Sequence, residues 1–227
     1  TTVPNDAPLV VFDTRSIPEA KAAAALFVIC EHVRSRIEDR RRTHLSGRIV
    51  GDGWAGRSLL VIDEAWKLID RPATGRWFNE FVRRSRHYAL WLIAISQQLS
   101  DFDNEYGRAL LANAAMRLFL RQETRELTYV KGALKLTDEA IDAISTLKTV
   151  RGAFSTAYLM NGTRGEGTLQ IGVGPLEYWI ASSDPARDEP VRRHALRETQ
   201  QQGWPALKLL VNDEWQAAAA SELEVAA

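Results

Sequence analysis

The chain has 227 residues, 45% of them apolar and 26% charged, a balance that excludes disordered, collagen-like and disulfide-stapled classes and leaves a folded domain with a real core. Lys plus Arg and Asp plus Glu both number 29, so no overall basic field draws the protein to DNA or an anionic membrane; any nucleic-acid contact must be local. One cysteine, Cys30, rules out an internal disulfide and fits a reducing compartment, and no apolar run reaches the ~18 residues of a membrane span, so a soluble, cytoplasmic protein is expected.

The chain opens on Thr1-Thr2 and enters a strand-like run at once, which reads as a cut inside a longer protein. Pro8–Asp13 (PLVVFD) has the form of a strand buried on both faces. Ser16 and Glu19 then have capping-box spacing around Pro18. Apolar positions recur at helical spacing through Leu26, Ile29, Cys30, Val33 and Ile37, predicting a helix to about Arg42 with Cys30 in its core face. Gly47–Arg57 reads as irregular. Ser58–Ile62 (SLLVI) is the most strand-like run and ends on Asp63-Glu64.

A loop with Pro72 and Gly75 is expected next, followed by a helical stripe at Trp77, Phe78, Phe81 and Val82. Leu90–Ile95 predicts a second buried strand ending at Ser96-Gln97-Gln98, Leu110 and Leu111 a helix, and Met116–Leu120 a third strand ending at Arg121-Gln122. Two shorter helices follow, the second capped near Thr137. Ala153–Met160 and Thr168–Val173 alternate around the Gly/Asn-rich Asn161–Gly167, a hairpin signature. Leu176–Ala181 reads as one more strand, and two helices with an Ala-rich tail close the chain. The expected fold is α/β: a mostly parallel sheet flanked by helices, with an antiparallel hairpin edge.

In such sheets ligands bind beyond the carboxyl ends of the strands, where Asp63, Glu64, Gln97, Gln98, Arg121 and Gln122 fall. Leu59–Glu64 has Walker B form: an apolar strand, an Asp that reaches a Mg²⁺ shell and a Glu that polarises water for attack on a γ-phosphate. Taken alone, Asp-Glu also suits the cap of a following helix. Gln97 and Gln98 offer amides to a phosphate or an attacking water, against the plainer reading of a polar loop. Arg117 and Arg121, four residues apart in a strand, share a face and suit stabilisation of a transferring phosphoryl group.

Gly51–Ser58 matches phosphate-loop spacing with Arg57 in place of Lys. It leads into a strand, not a helix, and is rejected; no other candidate phosphate loop exists in the sequence. Arg40-Arg41-Arg42 and Arg83-Arg84 with Arg86 read as solvated helix ends. The histidines have no zinc-ligand spacing.

LLVIDEAWKLI (Leu59–Ile69), with the Arg-rich helix and IAISQQLSDF (Ile93–Phe102), resembles the RecA-like motor domain of the large type IV secretion and conjugal-transfer ATPases. NAAMRLFLRQ (Asn113–Gln122) and GPLEYWIASSDPARDEP (Gly174–Pro190) are similar to later segments of that family, so the resemblance spans about Pro8 to Leu210. It implies a P-loop NTPase core incomplete at its N-terminus, with residues 1–183 the C-terminal part of the ATPase domain and 184–227 C-terminal helices.

It also implies ATP and Mg²⁺ as cofactors, a homo-oligomer such as a hexamer, type IV secretion components as partners, and a place on the cytoplasmic face of the bacterial inner membrane. By position, Asp63 becomes the Mg²⁺-shell carboxylate, Glu64 the catalytic base, Gln97 or Gln98 the sensor, and Arg117 or Arg121 the finger or phosphate ligand, with Gln122 at the nucleotide edge. The family's phosphate loop lies upstream of the segment matching Val10, so weak or absent ATP binding and no turnover are expected of residues 1–227 alone. The competing expectations are a DNA-translocating motor of the coupling-protein or FtsK/HerA kind, and a non-catalytic module that docks on a partner ATPase.

Overall fold

The computed structural model describes residues 9–14, 16–45, 57–182, 184–200, 203–212 and 216. They fall into two compact units. The first holds the described residues up to Arg117 together with Gln122–Asp142; the second holds Leu118–Arg121 and the described residues from Ala143 onward.

In the first unit, α1 (Glu19–Leu45) starts just after Pro18, whose fixed φ suits a helix entrance. β1 (Ser58–Ile62) and β2 (Leu90–Ala94) pair in parallel, from Ser58 opposite Leu90 to Ile62 opposite Ala94. α2 (Trp66–Ile69) and α3 (Pro72–Arg84) form the crossover that parallel strands need. Alternation turns Leu60, Ile62, Leu90, Leu92 and Ala94 to one face, where they join core clusters with Cys30 and Ile37 of α1 and Phe78, Phe81 and Val82 of α3. Side chains buried as fully as Phe78 each contribute roughly 1.5–3 kcal/mol.

A short 3₁₀ turn (Leu99–Phe102) and α4 (Glu105–Asn113) follow β2, the helix capped by Asn104 Oδ1, which accepts from Gly107 N at 2.8 Å. β3 (Arg117–Phe119) leads to α5 (Thr124–Leu134) and α6 (Asp138–Ser145). Thr137 caps α6 as expected, its Oγ1 accepting from Ala140 N at 3.1 Å.

The second unit is built on a hairpin, β5 (Phe154–Met160) and β6 (Glu166–Gly172), antiparallel from Phe154 opposite Gly172 to Met160 opposite Glu166. β4 (Thr149–Val150) and β3 also pair with β5. α7 (Pro175–Ala181), α8 (Asp188–Thr199) and α9 (Trp204–Leu210) bury Trp179, Ala195, Ala206 and Leu210 together. Asp188, 3% exposed, joins three surrounding groups: Ser182 Oγ, Tyr178 OH (2.5 Å) and the Arg151 guanidinium all donate to its carboxylate. Burial alone would raise this carboxyl, but the bonds from Ser182 and Tyr178 and the Arg151 charge outweigh it and hold it below the usual range.

The result is a mixed α/β chain with parallel and antiparallel sheets, and it departs from expectation in four places. The strand expected at Pro8–Asp13 is not formed by Leu9–Asp13, which among the described residues has no strand partner; Phe12 instead meets the His32 ring edge-on at 5.9 Å. Pro72 and Gly75 are not a loop. Pro72 opens α3, and Gly75 lies inside it because a Cβ there would overlap the Tyr106 ring. Leu176–Ala181 is helical: Gly174-Pro175 sets a helix entrance, and Trp179 packs with Ala195 of α8 and Ala206 and Leu210 of α9. β3 does not extend the parallel sheet; it joins the antiparallel one. Most of the Gly47–Arg57 segment, including Gly51–Gly56 of the rejected loop at Gly51–Ser58, Pro8 and the Ala-rich tail lie outside the described residues.

Candidate functional site

The parallel pair does not stop at its last strand residue. Ile95 N donates to Ile62 O at 2.9 Å, and Ala65 N donates to Ile95 O at 2.8 Å, so Asp63 and Glu64 form a two-residue turn bracketed by both polar groups of Ile95. This pins the acidic pair to the carboxyl edge of β1, directly beside Ser96-Gln97 at the carboxyl edge of β2. Glu64 is left-handed, with φ 54°. A non-glycine residue there costs roughly 1–2 kcal/mol, a strain that persists only where the surrounding contacts fix it.

Those contacts are on the carboxylate. Gln97 Nε2 donates to Glu64 Oε1 at 2.5 Å, and the indole Nε1 of Trp66 donates to Glu64 Oε2. Asp63 Oδ1 accepts from Glu64 N at 3.0 Å, and its side chain is exposed. Two carboxylates and one amide therefore share a single strand edge.

The two glutamines part company. Gln98 caps the 3₁₀ turn: its side chain accepts from the Asp101 backbone, while Asp101 Oδ2 accepts from Gln98 N at 3.3 Å. Ser96 Oγ also donates to Asp101, and Ser100 N donates to Glu126 Oε2 at 3.3 Å. The segment after β2 thus has one side chain on the acidic pair and one folded back as a cap.

The arginines are placed differently from each other. Arg117 is half-buried, and its guanidinium donates to Leu111 O at 2.7 Å, near the C-terminus of α4, where a cation meets the helix dipole favourably. Arg121 is exposed and lies two residues beyond β3, not within a longer strand. Arg121 belongs to the second unit, whereas Asp63, Glu64, Gln97, Gln98, Arg117 and Gln122 belong to the first; Gln122 is half-buried.

Among the described residues no cluster of three or more His, Cys, Asp or Glu side chains is arranged to hold a metal. The exposed Asp63 carboxylate is of the kind that takes part in a Mg²⁺ shell, which uses one or two carboxylates and is filled from water and phosphate oxygens. Within the basic clusters, Arg42 pairs with Asp39 at 2.8 Å and Arg84 with Glu80 at 3.6 Å. Sequence reasoning missed Trp66 and Asp101. The available signals were a tryptophan directly after the acidic turn and an Asp three residues after a glutamine, the spacing of a cap.

No protein-family model matches the chain, and no curated protein does. Among solved structures, VirB4 of Thermoanaerobacter pseudethanolicus matches at a TM-score of 0.51 and 25% identity over 71% of this chain. The chain is similar to VirB4. It spans 39% of that VirB4 chain. The likeness supports the family suggested by residues 59–69 and 93–102, and the mixed α/β architecture is consistent with a VirB4-like fold.

Proposed function

We propose that this chain is part of an ATP-hydrolysing motor that energises type IV secretion or conjugative transfer. The observation that carries the reading is the Glu64 carboxylate, set beside Asp63 at one strand edge and bonded to Gln97, just past the end of β2. What supports it further is the likeness to VirB4 at 25% identity.

Asp63 is assigned the Mg²⁺ shell, where the ion would draw charge from the phosphate oxygens. Glu64 is the general base, a carboxylate positioned to accept a proton from an attacking water. Gln97 is the sensor: its amide spans the two strands, so a phosphate competing for it alters the hold on Glu64. Gln98 acts indirectly, by capping the turn that follows Gln97. Arg117 and Arg121 are candidates for phosphate contacts. Work as a homo-oligomer with other secretion components at the cytoplasmic face of the inner membrane is part of the same proposal. No helix among the described residues is long and apolar enough to cross a membrane.

The test is ATP turnover by the full-length protein that carries this chain, comparing wild type with Glu64→Gln. A general base contributes about 10²–10⁴-fold, so the variant should fall by at least about a hundredfold. Wild-type turnover in Glu64→Gln removes that residue from the role.

A further inference from the structure

We infer that Trp66 is a positioning residue: its indole N–H and the Gln97 amide clamp the Glu64 carboxylate at both oxygens and fix the direction in which it faces. This rests on the hydrolytic role proposed for Glu64.

Three observations converge on it. Trp66 opens α2 directly after the turn, yet its ring takes no part in the core cluster that buries its neighbours Leu68 and Ile69; it is 37% exposed. A tryptophan left at the surface forgoes much of the apolar burial that usually selects it, so its polar N–H is the informative part. Next, Lys67 Nζ lies over the ring, 5.7 Å from its centroid, a cation–π distance. Finally, the left-handed Glu64 backbone directs the carboxylate back over the residues that follow it, and that is how a side chain only two residues away reaches Glu64 Oε2. In a regular helix, neighbours at that spacing do not face each other.

The clamp orients without blocking. An ionised carboxylate has about four acceptor sites, and two donors leave two free for a water. Removing one donor leaves Glu64 free to swing about its side-chain torsions, so the cost falls on the chemical step and not on nucleotide affinity.

The experiment has two arms. In ¹H–¹⁵N spectra of the 227-residue chain, which has 7 tryptophans, the Trp66 indole signal is identified by its loss in Trp66→Phe. In Glu64→Ala that signal should move while the other indole signals hold their positions, which also shows that the fold is intact. In the full-length protein, Trp66→Phe should lower kcat about tenfold with KM for ATP unchanged, and Trp66→His, which keeps a ring N–H, should recover part of the loss. An indole signal indifferent to Glu64→Ala overturns the clamp whatever the turnover. A signal that moves, with wild-type kcat in Trp66→Phe, overturns the positioning role. A signal that moves in a full-length protein without ATP turnover upholds the clamp and defeats the hydrolytic reading instead.

Discussion

Cys30 lies 5% exposed in the cluster with Leu68, Phe78 and Val82, and burial, with a smaller push from the charge of Glu31, drives its thiol up to about 12 from an ordinary 9.0. At neutral pH it is therefore a thiol and a small apolar side chain, unreactive until the unit opens. Because the unfolded chain loses this proton near pH 9 and the folded one near 12, the folded state binds more protons between those values. Stability is then full below pH 9 and declines as pH rises through the window, by up to about 1.4 kcal/mol per unit. Urea unfolding from pH 8 to 11 should show a shallower decline in Cys30→Ala than in wild type, and a thiol reagent at pH 7 should react no faster than the protein unfolds. The core role of Cys30 was legible from helical spacing alone. The hold of Trp66 on Glu64 was not, because it depends on a left-handed residue in a turn and no spacing pattern announces a single positive φ.

The segment that carries Gln97 and Gln98 is held by the 3₁₀ turn and by the start of α4. Gly107, in the first turn of α4, lies so close to Phe102 that a Cβ would overlap the Phe102 carbonyl and Cα. Helix propensity alone favours Gly107→Ala by about 1 kcal/mol. The clash is with backbone, which gives little, so we expect a net loss of about 1–3 kcal/mol, read as a lower urea midpoint. Elements with one strong period were readable: Ser58–Ile62 is β1, and the stripe at Trp77, Phe78, Phe81 and Val82 is α3. Leu176–Ala181 failed because a short apolar run fits strand and helix equally, and the decision rested with Gly174-Pro175 and with the burial of Trp179. The failure at Pro8–Asp13 has another cause: Leu9–Asp13 has strand composition, but composition supplies no ladder partner.

Among the described residues the parallel and antiparallel strands separate into different sheets, a division that local patterns cannot reveal because pairing is a long-range choice. Strand β3 shows this well. Its sequence predicted its existence, but not that its partner would be β5. Among the described residues, one face of the parallel pair exposes apolar side chains, Leu59 at 59% opposite Trp91 at 57% and Val61 opposite Ile93. Parallel strands ordinarily have both faces covered, so this surface should bind a hydrophobic dye; Val61→Lys with Ile93→Lys should abolish the signal and shift stability by no more than about 0.5 kcal/mol per site. The division of labour between the adjacent carboxylates is tested most directly by the Mg²⁺ dependence of ATP turnover in the full-length protein, with Asp63→Asn and Glu64→Gln side by side. Separate roles predict that Asp63→Asn raises the Mg²⁺ concentration needed for half-maximal rate, while Glu64→Gln leaves it in place and lowers kcat by at least about a hundredfold. Wild-type rates from both variants at every Mg²⁺ concentration would contradict a nucleotide-facing acidic pair.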